Sequence, residues 1–386
     1  MKLALVIGRL ERGGSERQIV EFVRATHPGH AECVVVCLGE EGALAGEVRA
    51  ANAKVIALDL ERPDSPRGVG RFARGLWRFA RLLRTERPDV VYAFLFWGYS
   101  ISLPLAALIL PRTCRIQARR SLPDDDVPRQ EIFRRLSLQR AIRSIADRCS
   151  HGVIVNSLAV GSAVARREPV LSGRLWVVPN GVRSLAHRAR LAEARLTIVC
   201  VANLIAYKGH ATLLGAVRQL RPRGWSLLLA GEGPERESIG RVIASENLEE
   251  RVFMLGRLSE VDEVLASADI LVLPSYTEGM PNAVLEAMAH GIPVVASDVG
   301  GVRSLLGSGA GIIVEPRDEK ALANALQLLI DDPLLRAEMG DKGRGLARGS
   351  HSVEAMRDAT LSAISDICEQ RRDRVRRSNR TWLSWK

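Results

Sequence analysis

Aromatic residues are scarce, 4% of the 386 positions. The chain contains no recognised nucleic-acid module and no run of aromatics interleaved with basic residues as a stacking platform. Its net charge of +11 therefore does not by itself argue for specific nucleic-acid binding. No CxxC pair of the metal-binding kind occurs among Cys33, Cys37, Cys114, Cys149, Cys200 and Cys368. Most of them sit beside apolar strand residues, as reduced core thiols of a cytosolic protein do. The GxGxxG fingerprint is missing as well, which leaves NAD and FAD binding with little support. A long hydrophobic span is also lacking. The run from Ala93 to Leu110 is uncharged over 18 residues, but it holds Gly98, Ser100, Ser102 and Pro104 and continues the strand-like Asp89–Tyr92. It reads as a strand followed by a buried helix. The apolar start, Met1 to Gly8, is too short for a signal peptide and runs directly into Arg9, Glu11 and Arg12, so it reads as a first strand.

What is present alternates. Strand-like runs at Lys2–Ile7, Glu32–Leu38 and Lys54–Leu58 are separated by helical patterns at Ser15–Arg24, with Ser15 as its candidate N-cap, and at Ala43–Ala51. This is the signature of a doubly wound α/β domain. Further strands are expected at 152–157 and 174–181. An Ala- and Arg-rich linker is expected at 184–195, and a second α/β set begins at Leu196. That set ends in helices at Asp318–Ile330 and near Ser352–Glu369. The domains are therefore 1–183, 196–369 and a basic tail at 370–386.

Almost all of the 55 basic residues are arginine, and the excess suggests an anionic neighbour. Acid is absent from 67–84, where Arg67, Arg71, Arg74, Arg78 and Arg81 recur at three- and four-residue spacing on a face separate from Phe72, Leu76 and Leu83. Two readings stand, an interfacial membrane helix and a solvated outer face. The tail, with Trp382 and Trp385 among arginines, divides in the same way between a headgroup contact and disorder. Asp124, Asp125 and Asp126 are adjacent carboxylates without partner ligands, which reads as a solvated loop rather than a metal site.

The stretch from Pro274 to Gly301 organises the rest. A strand end, a tight loop at Gly279–Pro281, a helix from Asn282 to His290, a Gly291 stop and the strand Val294–Ala296 follow one another. Glu278 and Glu286 stand eight positions apart. A helix N-terminus suits phosphate. A carboxylate beside it makes sense if the ligand also presents hydroxyl donors, as sugars do; the other reading is an ordinary strand–helix–strand unit with solvent-facing glutamates.

The Glu-x7-Glu spacing followed by GIPVVASDVGG resembles the retaining glycosyltransferases of family 4. The resemblance extends to Gly13, Gly14 and Glu16 as the GG-x-E loop, to Lys208 with Gly209, and to the strands ending at Gly181, Pro234 and Arg257. It implies a GT-B fold, with two Rossmann-like doubly wound domains facing across a cleft and a C-terminal helix crossing back to the first. It implies a nucleotide-sugar donor, probed by Gly14, Asn203, Lys208, Glu278, Gly279, Met280, Pro281, Asn282 and Glu286, with Arg257 and Leu258 near the base.

Glu278 would hold the sugar, Glu286 the ribose and Lys208 the diphosphate, which makes Lys208 and Glu278 the catalytic pair. Where relatives carry an arginine, five residues before Lys208, this chain has Asn203. Where they carry an acceptor-side histidine it has Arg119, Arg120 and Ser121, so Glu16, Arg119 and Arg120 are weak acceptor-side candidates. The resemblance implies no metal and no cofactor, since the nucleotide-sugar is a substrate. A UDP-sugar is the expected donor and a glycan or lipid-linked acceptor the expected recipient, with hexosyl transfer serving cell-surface polysaccharide or glycoconjugate synthesis. The expected location is cytoplasmic, with an anionic membrane surface as the peripheral site. A GT-B sugar-nucleotide epimerase and an inactive GT-B-like binding protein are the alternatives.

Overall fold

The computed structural model describes residues 1–60, 66–122, 133–184, 195–221, 224–258 and 260–383. Most of the expected linker and the Asp124–Asp126 loop lie outside them. The chain divides into two compact units, Met1–Pro179 with Met356–Lys386, and Asn180–Ala355. The division falls at Pro179, just before the Asn-Gly turn, and the chain re-enters the first unit at Met356.

The first unit is built on seven parallel strands, β1 (Lys2–Ile7), β2 (Glu32–Cys37), β3 (Lys54–Ala57), β4 (Val90–Phe94), β5 (Cys114–Arg119), β6 (Gly152–Val155) and β7 (Leu175–Val177), in the order β3-β2-β1-β4-β5-β6-β7. Both faces are covered by helices, which is why these strands are nearly continuous apolar runs rather than alternating ones. Strand order reverses at β1/β4, a topological switch point. Helix α1 (Gly14–Thr26) starts one residue earlier than the sequence suggested. Its N-cap is Gly13, and Ser15 makes no capping bond there. Helix α2 (Ala45–Ala50) matches its expected place.

The acid-free stretch forms α3 (Pro66–Glu86). Phe79, Leu82 and Leu83 are buried in the core, whereas Arg71, Arg74, Arg78 and Arg81 are exposed together with Trp77, which leaves 60% of its surface to solvent. Helix α4 (Leu95–Ile109) continues β4 as expected for the uncharged run, and no described helix is long and apolar enough to cross a membrane. Helix α5 (Phe133–Cys149) and helix α6 (Leu158–Arg167) complete the layer, the latter capped by the Ser157 hydroxyl, which accepts from the Val160 N–H at 3.2 Å.

The second unit holds six parallel strands, β8 (Leu196–Val201), β9 (Trp225–Ala230), β10 (Val252–Gly256), β11 (Ile270–Leu273), β12 (Val294–Ser297) and β13 (Gly311–Val314), in the order β10-β9-β8-β11-β12-β13. Alternate residues of β8 enter opposite cores. Ile198 and Cys200 face one side with Leu213, Leu227 and Leu326, and Val199 faces the other with Leu271, Val284 and Leu305. The helices are α7 (His210–Val217), α8 (Arg236–Ser245), α9 (Val261–Ser267), α10 (Asn282–His290), α11 (Val302–Leu306), α12 (Glu319–Asp331) and α13 (Pro333–Arg348). The two sheets, each doubly wound, are the GT-B fold. The last helix, α14 (Val353–Leu383), continues well past the expected end at Glu369, so the first part of the basic tail is helical.

Candidate functional site

In the second unit the switch point lies between β8 and β11, which pair at Ile270–Ile198 and Leu271–Val199. Their chains depart in different directions at the carboxyl edge, and that divergence opens the crevice where open α/β sheets take ligands. Lys208 follows β8, at the end of a short 3-10 turn, Ala206–Lys208. Glu278 follows β11. Lys208 Nζ donates to Glu278 Oε1 at 2.6 Å across 70 positions of sequence, and the two side chains remain 17% and 10% exposed. The pair is shielded enough for its charges to count and open enough to be reached by a ligand.

The two loops are tied to each other. The Tyr276 N–H donates to the Tyr207 carbonyl at 2.7 Å, and the Tyr276 hydroxyl lies 2.8 Å from that of Thr212 on α7. The Arg317 guanidinium stacks over the Tyr276 ring at 4.0 Å. Between Lys208 and α7 the chain turns through Gly209 at φ +72°, where any Cβ would collide with the Pro274 carbonyl oxygen. Glycine is required here for both reasons.

Helix α10 starts at Asn282, as the sequence implied, with Gly291 in the left-handed conformation at its end. Its first-turn N–H groups lie just past Gly279, Met280 and Pro281. This loop is braced by Asn180, whose Nδ2 donates to the Met280 carbonyl at 3.1 Å and to Asn282 Oδ1 at 2.8 Å. A second brace is the Gly301 N–H, which donates to the Gly279 carbonyl at 2.7 Å. Glu286 is half-buried on α10, about one turn into the helix and eight positions after Glu278. Asn203 is exposed after β8. Arg257 is exposed and Leu258 half-buried after β10, the edge strand two positions from β8, and no ion pair or hydrogen bond among the described residues ties them to the Lys208–Glu278 pair.

In the first unit, Gly14 and Glu16 open α1 after β1, at that sheet's own switch point. The Glu16 carboxyl folds back over Gly13, and burial holds its pKa above the usual carboxylate range. Arg119 has a different task from the one expected. Its guanidinium donates to Asp147 at 3.1 Å, to Glu168 at 2.9 Å and to Gln117 at 3.0 Å, and it lies over the Tyr99 ring. With 10% of its side chain exposed, against 3% for Asp147 and 9% for Glu168, it neutralises two buried carboxylates. The fold uses this arginine as the central cation of that network. Arg120 packs over Phe94 at 5.5 Å.

Three participants had no assigned role in the sequence. Asn180 fell inside the expected strand stretch 174–181, and Tyr276 carried no signal. His210, the first residue of α7, is 4% exposed with neither ring nitrogen hydrogen-bonded, and burial, with Lys208 beside it, brings its pKa down to about 4. An unfolded histidine titrates near 6.5. The unfolded chain therefore takes up this proton first, and the stability tied to neutral His210 is complete above pH ~6.5 and lost as pH falls toward 4. Denaturant melts across that window should show a loss of about 3 kcal/mol by pH 4 that His210→Leu lacks. An unchanged acid limb in the variant would rule the assignment out. Among the described residues no three His, Cys, Asp or Glu side chains gather as metal ligands would.

The chain matches the family described as Glycosyltransferase Family 4 over residues 12–184 and Glycosyl transferases group 1 over residues 184–346. Among similar proteins, the alpha-D-kanosaminyltransferase of Streptomyces kanamyceticus is 32% identical over 192 residues, 47% of this chain and 50% of that protein. A GDP-mannose-dependent monoacylated alpha-(1-6)-phosphatidylinositol monomannoside mannosyltransferase of Corynebacterium glutamicum is 34% identical over 171 residues, 41% and 44% of the two chains. The aligned region thus spans about half the length of these relatives. In fold, HepE of Anabaena, crystallised with UDP-glucose, superposes with a TM-score of 0.80 at 20% identity over 95% of this chain and 100% of its own. Together the two family matches run from residue 12 to residue 346, and the chain belongs to the group 1 glycosyltransferases of family 4.

Proposed function

We propose that the chain transfers a sugar from a nucleotide-diphosphate donor, a UDP-sugar, to a glycan or lipid-linked acceptor with retention of configuration, in cell-surface polysaccharide or glycoconjugate synthesis. The observation that carries this reading is the 2.6 Å pair of Lys208 and Glu278 at the β8/β11 switch point. An ammonium has three donors. One is fixed by Glu278 Oε1 and the others are available to a diphosphate, while the second Glu278 oxygen accepts from sugar hydroxyls.

As the bond to the leaving diphosphate lengthens, negative charge grows on its oxygens, and Lys208 with the first-turn N–H groups of α10 stabilises that charge. Glu286 takes the ribose hydroxyls. No protein nucleophile is required in this reading, because the acceptor attacks on the leaving group's face and a diphosphate oxygen takes its proton. No cofactor enters either. The acceptor is membrane-held in the same reading, supported by the exposed Arg71, Arg74, Arg78 and Trp77 of α3.

The test is nucleotide release from a panel of UDP-, GDP- and ADP-sugars by wild type and Glu286→Ala. Release from one donor, reduced at least about tenfold in the variant, is the expected result. Turnover of every donor alike, or an unaffected variant, would remove Glu286 from the ribose. Conversion of the sugar without transfer to any acceptor would favour an epimerase instead.

A further inference from the structure

The amino edge of the first sheet carries a second cluster of cations, away from the carboxyl edge where open α/β sheets take their ligands. Because β5, β6 and β7 are parallel neighbours, the residues that begin them share this edge. Arg115 is the second residue of β5, His151 immediately precedes β6 and Arg174 immediately precedes β7. Helix α14 adds Arg371 and Arg374. Arg371 is anchored by donation to the Pro111 carbonyl at 2.8 Å. Pro111, Arg115, His151, Arg371 and Arg374 line a pocket of about 310 Å³.

The charges are not balanced by protein acids. None of Arg115, Arg174, Arg371 and Arg374 has a carboxylate partner among the described residues, and the groups that act on Arg115 and Arg174 include further arginines and no acid. Arg115 is 9% exposed and its guanidinium meets carbonyls and an imidazole but no carboxylate, Nε donating to Cys149 at 2.7 Å and Nη1 to Thr113 at 3.1 Å. A buried guanidinium without a counter-charge is costly.

His151 sharpens the point. Its Nδ1 accepts from the Arg115 N–H at 3.0 Å, which puts the ring proton of the neutral imidazole on Nε2. Yet Nε2 lies 2.9 Å from Arg115 Nη2, itself a donor. Burial and the surrounding arginines pull the His151 pKa down to about 3, so the ring is neutral and adds no charge. With Nδ1 taken as an acceptor, this contact brings donors together with no acceptor of its own, and an anion in the adjoining pocket would supply one.

We propose that this pocket is a binding site for a phosphate group, distinct from the Lys208–Glu278 site, with Arg115, His151, Arg371 and Arg374 as its donors. Arginine forks suit phosphate oxygens in geometry as well as charge. The phosphate can come from a free phosphate compound or from the headgroup of an anionic lipid, and the chemistry of the pocket is the same for both.

The test titrates inorganic phosphate calorimetrically into the full chain carrying Lys208→Ala, so that donor-site binding does not contribute. The same titration is made after adding Arg371→Ser and Arg374→Ser, which sit on the helix surface and leave the buried Arg115 in place. Binding in the first protein, weakened about tenfold or more in the second, is expected. Absence of phosphate binding, equal binding in both proteins, or the same heat from chloride at matched ionic strength would overturn the proposal. Co-sedimentation with phosphatidylglycerol vesicles then separates the sources. If the Arg371→Ser, Arg374→Ser chain pellets less than wild type, the site takes a lipid headgroup. If it pellets equally while its phosphate binding is lost, the site takes a free phosphate.

Discussion

Replacing Lys208 by alanine is expected to lower sugar transfer by about 10²–10³-fold, the range seen when one preorganised donor to a developing anion is removed. Two features of this chain place the effect at the upper end. Asn203 is uncharged, so Lys208 is the only cation in its loop, 202–209. Its ammonium is also prepositioned by Glu278 at 2.6 Å, so little reorganisation accompanies charge development. The loss should fall mainly on kcat, because the charge it meets grows in the transition state. Steady-state kinetics of wild type and Lys208→Ala with the active donor read the result directly. A change confined to KM would assign Lys208 to ground-state binding alone.

Arg119→Ala is expected to destabilise the first unit by about 3–5 kcal/mol, the cost of leaving a buried charge network without its central cation. Asp147 and Glu168 would remain in place, 3% and 9% exposed, with Gln117 and Arg143 as lesser partners. Urea melts followed by tryptophan fluorescence or circular dichroism measure this loss. Arg119→Lys should recover only part of it, since an ammonium cannot span two carboxylates and Gln117 as a planar fork does. If Arg119→Ala instead kept full stability and lost acceptor use, the acceptor-side role expected from its position in the sequence would be restored.

The contrast between these two residues shows what a sequence of this kind discloses. The strand-end positions of Lys208 and Glu278 were legible because loop, helix start and glycine spacing are local signals, and each sits next to a strand end that fixes its direction. The α/β alternation was legible for the same reason, since buried parallel strands are continuous apolar runs. The ion-pair network of Arg119 was not legible, because its partners, Asp147 and Glu168, lie 28 and 49 positions away and no local pattern announces a buried pair. Asn180 is a similar case, with its amide bonded to residues 100 and 102 positions on.

Helix α13 went unassigned because Gly340, Gly343 and Gly345 depress its propensity. Packing supplies the reason for the first of these. A Cβ at Gly340 would collide with the Gly291 carbonyl, so the glycine allows α13 to approach the end of α10. The tail was read as divided between disorder and a membrane contact. It is helical to Leu383, and its arginines 371 and 374 close a pocket whose other walls come from the starts of β5 and β6, more than 210 positions earlier.

Calorimetric titration of UDP, GDP and ADP into wild type and Lys208→Ala tests the central claim most directly. The account predicts that UDP binds wild type and binds Lys208→Ala at least about tenfold more weakly, consistent with the loss of one charge-assisted bond to phosphate, and that uridine, which lacks the diphosphate, does not distinguish the two proteins. Failure of every nucleoside diphosphate to bind, or equal UDP affinity in both proteins, would contradict the assignment of the Lys208–Glu278 pair as the donor site.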